Sequence, residues 1–352
     1  MRSKIAWSFA AATALVGTGV AAKSFGDWSA PVNAETLAGS SSDLNTASND
    51  GCPILNPYDD SLYMASNRPG GQGGLDIWIA PRSGDGWGTP VNAGPAINTA
   101  ADEFCPTPAR GNRFFFVRRL SATDTDIYVV KDLPNKGFGT PQRLQTGATA
   151  INSPSEEWSP SWFETADGRE VLYFSSTRVG APRQQIYYSV DFGPAQLASG
   201  GVSSSASDAR PNVRRDGLEI VWDSTRTGSQ GTDIYSATRS SVDEPWGSAV
   251  QLGNGINSAG NESRASISWD GTRLMFGTTR AGGEGAADIW TSTRASTSDP
   301  WGAPTPIKQV NSPAGESRAS LSWDGTVLVF GSNRDTSPPG SRSGHLRRHA
   351  QA

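Results

Sequence analysis

The sequence predicts an all-β fold: a six-bladed β-propeller of four-stranded blades, closed by an N-terminal strand that completes blade six. Three observations predict it. An acidic residue followed three positions later by Pro or Ala recurs at Asp50, Glu103, Glu157, Asp208, Glu262 and Glu316, spaced 53, 54, 51, 54 and 54 residues apart. Each acid opens the same run of short apolar segments. No long stretch shows the period of an amphipathic helix or a heptad repeat. A repeat of this length is one supersecondary unit, and it cannot bury both its faces alone. Stacking such units radially around an axis buries them and leaves only short edges; a linear β-solenoid is the alternative.

The elements follow in order. Arg2 and Lys4 precede the small, moderately apolar run "IAWSFAAATALVGTGV", and "VAA" ends at Ala22. This pattern predicts a signal peptide over 1–22, cleaved before Lys23. Its removal takes the net charge from −4 to −6. No other segment is long and apolar enough to span a membrane. The expected mature protein is therefore exported, periplasmic or extracellular, with its propeller over 23–336.

Within each unit the acid begins a first, inner strand. A turn follows, such as "WDG" at Trp269 and Trp323 or "ADG" at Ala166. Asp-Gly favours hairpins because both positions accept positive φ. Second strands then read "SLYMAS", "RFFFV", "VLYFSS", "LEIVWDS", "RLMFGT" and "VLVFGS". After a Gly-rich loop come third strands, "DIWIA", "DIYVV", "QIYYS", "DIYSA" and "DIWTS". A fourth strand is expected to begin at the aromatic residue Trp87, Phe138, Phe192, Trp246 or Trp301.

The chain ends complete the pattern. "WSAPVN" at Trp28 matches "WGTPVN" at Trp87, so a fourth-strand motif stands ahead of the first unit. The sixth unit lacks both a fourth strand and a recognisable third. Its place is taken by an anomalous basic tail, 337–352. With suitable codons, "GHLRRHAQ" read one nucleotide later gives "DIYVATR". The tail after about Arg334 is therefore a candidate for an out-of-frame segment, with an ordinary disordered basic tail as the alternative, and as written it is expected to pair poorly.

Composition narrows the function. The chain has 352 residues, 36% hydrophobic, with a mean hydropathy of −0.44. A net charge of −4 argues against nucleic acid as a partner. Its two histidines, His345 and His349, both lie in the tail, which disfavours Ser–His–Asp or Cys–His catalysis and a His-rich zinc site in the propeller. No metal or other cofactor is expected.

The combination of "SPSW…DG…LYFSSTR…IYY" with "SWDGT.L.FG(T/S).R…DIW" resembles the WD-forty-like propeller repeats of TolB-type periplasmic proteins, over about residues 25–334. The resemblance implies a periplasmic interaction module; in TolB the propeller works with a peptidoglycan-associated lipoprotein. This chain shows no evident counterpart of TolB's additional N-terminal domain. The expectation is a monomeric, propeller-only binding or scaffold protein for an envelope protein or polymer, rather than an enzyme. A carboxylate-dependent, carbohydrate-active or other hydrolytic propeller is the alternative.

Three sets of residues are candidates for chemistry. Asp50, Glu103, Glu157, Asp208, Glu262 and Glu316 form either an anionic ring at the channel mouth or a set of structural hydrogen-bond acceptors, the latter favoured. Two residues after each acid, on one sheet face, stand Cys52, Cys105, Ser159, Arg210, Arg264 and Arg318. Arg210, Arg264 and Arg318 make one side of the channel cationic, able to receive an acidic group through a guanidinium fork or to bridge blades. Cys52 and Cys105 occupy equivalent positions in adjacent units and are a candidate disulfide, with two free thiols as the alternative. Each Gly-rich loop also runs from Arg to Asp: Arg68 to Asp76, Arg119 to Asp126, Arg226 to Asp233 and Arg280 to Asp288. These are read as pairs fixing the hairpin.

Overall fold

A computed structural model describes residues 32–133, 137–180, 182–322 and 325–333, together with the backbone of 344–349. The signal segment 1–22, Trp28, the turn at Trp323 and most of the tail lie outside these residues.

The fold is an all-β propeller. Each inner strand lies beside the inner strands of two neighbours, and Asp50–Leu55 touches Glu316–Leu321, so the ring closes. Five sheets are four-stranded and one has five strands. In the first unit the order is Asp50–Leu55, Leu62–Ser66, Asp76–Ala80, then Val91–Asn92, all antiparallel. The Glu157, Asp208 and Glu262 units repeat this order.

The expectation of six four-stranded blades, closed by an N-terminal strand, is corrected on two points. The sheet opened by Glu103–Ala109 carries five strands. Its third strand, Asp124–Leu133, runs ten residues and pairs with both Gly137–Phe138 and Gln142–Arg143. In the sheet that joins the chain ends, the third place, where the tail is expected to pair poorly, is held by a paired strand. Gly344–His349 pairs along Val327–Ser332 over six residues. Val32–Asn33 adds only two residue pairs, to Arg347 and Leu346. Backbone ladders tolerate side-chain identity, which is why "GHLRRH" can hold a place written "DIYSAT" elsewhere.

The expected fourth strands also shift. They begin four residues after the aromatic: Val91, Gln142, Gln196, Val250 and Thr305. Two of the tryptophans also bond through their indole N–H. Trp87 donates from Nε1 to the Asp60 carbonyl at 2.8 Å, and Trp246 to the Tyr173 hydroxyl of the preceding blade at 3.0 Å.

The core lies between blades. Phe163, Tyr173 and Ile186 of one blade pack with Ile220, Trp222 and Trp246 of the next. Full burial of such aromatics contributes about 2–3 kcal/mol each, the main force joining otherwise separate sheets.

Candidate ligand site at the propeller axis

The six recurring acids are all buried and satisfied within or beside their own blade. Glu157 shows the pattern. It accepts from Ser153 N at 2.9 Å, Ser153 Oγ at 2.6 Å, Ser176 Oγ at 2.7 Å and Arg178 Nη2 at 3.1 Å. Asp50, Glu103, Asp208, Glu262 and Glu316 accept in the same way from Thr46, Thr99, Ser204, Ser258 and Ser312, four residues upstream. Burial pushes the Glu103 and Glu157 carboxyls upward, against these hydrogen bonds. None of the six acids lines the axial cavity.

The arginines of the Gly-rich loops serve this clamp, which corrects the expected Arg–Asp hairpin pairs. Arg68 pairs with Asp50 at 2.7 Å, Arg226 with Asp208 at 2.5 Å and Arg280 with Glu262 at 3.2 Å, while Arg119 bonds Asp102 at 3.2 Å. Antiparallel pairing places Ser66 opposite Asp50, so an arginine two residues later reaches the acid and not the Asp further along the loop. The loop aspartates have other partners: Asp76 accepts from Gln72 N and Asn92, and Asp126 pairs with Arg143.

The sequence reading missed the asparagines that brace each third strand. Asn152 Oδ1 accepts from Ile127 N at 2.8 Å, and its Nδ2 donates to Ile127 O at 2.9 Å. Asn98, Asn257 and Asn311 do the same for Ile77, Ile234 and Ile289. The signal was present: an aliphatic residue, Asn, then Ser or Thr stands four residues before the acid, as in "INT", "INS" and "VNS".

The second set of positions does converge. A β-bulge interrupts each inner strand just after the acid. It places Cys52, Cys105, Ser159, Arg210, Arg264 and Arg318 in the left-handed region, with φ from 51° to 56°. None is glycine, and an L-residue held there costs about 1–2 kcal/mol. Such strain concentrates at functional sites. All six residues line a single axial cavity of about 640 Å³. Toward the turns at the other end of the inner strands the lining includes Tyr58, Arg215 and Trp269, all exposed, with the Arg215 guanidinium 3.9 Å from the Trp269 ring centre.

Electrostatically the cavity is lopsided. The Arg210 guanidinium bonds Asp223 at 2.7 Å, and Arg264 N donates to the same carboxylate at 2.9 Å. Asp223 was not singled out from sequence, yet it stands where the other second strands carry Ala65, Val117, Ser175, Gly277 and Gly331. Burial raises its carboxyl, against the pull of Arg210. Arg318 donates to Cys52 Sγ. No hydrogen bond or ion pair from a described residue holds the Arg264 guanidinium. Burial, then the charges of Arg318 and Arg210, push it down to about 10. Among the described residues, the cavity thus presents a half-buried guanidinium without an ion pair, standing between Arg210 and Arg318 in the ring of six positions.

The two cysteines are free, and their sulfurs lie 3.9 Å apart. Among the described residues, no group of three or more His, Cys, Asp or Glu is placed to hold a metal ion. Among them too, no helix is long and apolar enough to cross a membrane.

No protein-family model matches the chain, and no curated relative does. The likenesses are structural. TolB from Acinetobacter baumannii superposes with a TM-score of 0.53 at 14% identity, covering 85% of this chain and 63% of that one, so this chain spans under two thirds of that protein. A putative TolB from Agrobacterium tumefaciens gives 0.51 at 15%, covering 87% and 91%. An α-L-arabinanase from Penicillium chrysogenum, complexed with arabinobiose, gives 0.54 at 12%, covering 92% and 99%. At these identities the likeness carries the fold alone. The fold is a TolB-like β-propeller, and the WD-forty-like character of its repeats stays a resemblance.

Proposed function

We propose that this chain is an exported, monomeric binding protein that receives an acidic group of an envelope protein or polymer in its axial cavity. Arg264 and Arg318 contact the anion, and Arg210, held by Asp223, completes the cationic wall. The six acids hold the blades in shape. The observation that carries this reading is the Arg264 guanidinium, desolvated and without a partner among described residues, on a strained backbone. An uncompensated buried charge is costly, so a ligand that neutralises it binds with that cost returned.

The hydrolytic alternative has less support. A glycosidase needs two carboxyl groups about 5–10 Å apart. Among described residues, Glu164 is the one carboxylate lining the cavity, and it pairs with Arg110 at 2.9 Å. The test is a comparison of wild type with the double variant Arg264→Ala, Arg318→Ala in pull-downs from envelope extract, with melting temperatures measured alongside. Loss of a captured partner at unchanged melting temperature supports the reading. Unfolding of the variant, or turnover of a glycan by the wild type, contradicts it.

A further inference from the structure

The axial cavity holds a second chemistry that anion binding does not use. Cys52 and Cys105 occupy the positions filled by Ser159 and the three arginines in other units. Both carry the left-handed backbone, both line the cavity, and their sulfurs are 3.9 Å apart. Arg318 comes from the blade on the other side of Cys52 and donates to its sulfur. The backbone strain and the cavity are shared by all six equivalent positions; what is particular to this pair is the close approach of two sulfurs beside a guanidinium.

We propose that Cys52 and Cys105 form a peroxide-reactive dithiol at the propeller axis, with Cys52 the attacking thiolate and Cys105 the resolving thiol. Arg318 donates to Cys52 Sγ and also reaches Cys105, so the guanidinium serves the pair, and the two serine variants below test the order. The Cys52 thiolate attacks one oxygen of hydrogen peroxide. The O–O bond breaks, hydroxide leaves and takes up the proton that Cys52 gave to solvent on ionising, so that it departs as water, and Cys52 becomes a sulfenic acid. The Cys105 sulfur then attacks Cys52 sulfur; the S–S bond forms, the S–O bond breaks, and the departing hydroxide leaves as water with the Cys105 proton. Two electrons pass from the sulfurs to the peroxide. The sulfurs must close from 3.9 Å to about 2.05 Å.

Environment supports the assignment. The hydrogen bond from Cys105, then the charges of Arg318 and Arg264, bring the Cys52 thiol down to about 6 against its burial. The same hydrogen bond and burial push Cys105 up. Thiolates with adjacent guanidinium groups are the reactive cysteines of proteins.

The test treats the full chain with hydrogen peroxide and follows it by mass spectrometry. Wild type should form a Cys52–Cys105 disulfide. Cys105→Ser should stop at a Cys52 sulfenic acid trapped by dimedone. Cys52→Ser should react at least tenfold more slowly. Iodoacetamide labelling of Cys105→Ser should rise with pH through a midpoint below that of an ordinary thiol, and Arg318→Ala should move that midpoint upward. Absence of the disulfide, or equal reactivity of Cys52→Ser and Cys105→Ser, overturns the proposal. Anion binding is measured separately, so failure here leaves the ligand reading standing, and the reverse.

Discussion

Replacing Arg264 with glycine should stabilise the fold while removing its function. Arg264 sits at φ 56°, a conformation that costs an L-residue about 1–2 kcal/mol and glycine almost nothing. Glycine's greater freedom in the unfolded chain returns about 0.5–1 kcal/mol of that gain. Removing a desolvated charge beside Arg210 and Arg318 adds a further favourable term, and loss of the arginine stem's packing subtracts one. The cleanest comparison is therefore between Arg264→Gly and Arg264→Ala. Both lack the guanidinium, but alanine keeps the backbone strain, so glycine should be the more stable by about 1 kcal/mol. Urea unfolding read at constant m-value gives the difference directly. If Arg264→Gly falls below wild type by more than about 1 kcal/mol, the residue is an inter-blade strut and the reasoning fails.

The acid clamps predict the opposite behaviour. Glu157→Ala strands Ser153 N, two hydroxyls and part of Arg178, and should cost about 3–5 kcal/mol in urea unfolding; a cost under about 1 kcal/mol would show that the clamp is dispensable. Asn152→Ala unpairs both backbone groups of Ile127 and the Leu144 carbonyl, and should cost about 2–3 kcal/mol without changing anion binding, a separation checked by titration of the same sample. Gly344 stands opposite Ser332 as Asp76 stands opposite Ser66, which is the register the shifted-frame peptide "DIYVAT" needs. Resequencing the gene tests this: codons that yield "DIYVAT" one nucleotide later are expected, and any others end the frame-shift proposal.

Most of the fold was legible because it repeats. Period-two apolar runs such as "VLYFSS" and turns such as Asp-Gly mark strands and hairpins locally, and six copies in register leave few topologies. What failed was non-local or conformational. Arg68 looked like a partner for Asp76, eight residues on, but the hairpin brings it back to Asp50. The aromatic residue marks each fourth strand in the sequence, but the strand itself begins four residues later, while Trp87 and Trp246 bond through their indole N–H groups. The tail was set aside because "GHLRRH" has no strand pattern, yet backbone pairing accommodates it. At the axis, the convergence of Arg210, Arg264 and Arg318 was visible from their equivalent positions. Their left-handed backbone was not, since neither Arg nor Cys marks positive φ as glycine does. Asp223 was visible only as a departure from Ala, Val, Ser and Gly in the other second strands, and its meaning depends on Arg210 lying against it.

The most direct test of the axial receptor is calorimetric titration of hexaglutamate into the wild-type protein and into Arg264→Gly, at low and at physiological salt. The account predicts binding to the wild type that weakens with salt, and at least tenfold weaker binding to the variant, which stays folded. Equal affinity for both proteins, or no binding to the wild type at low salt, would contradict it.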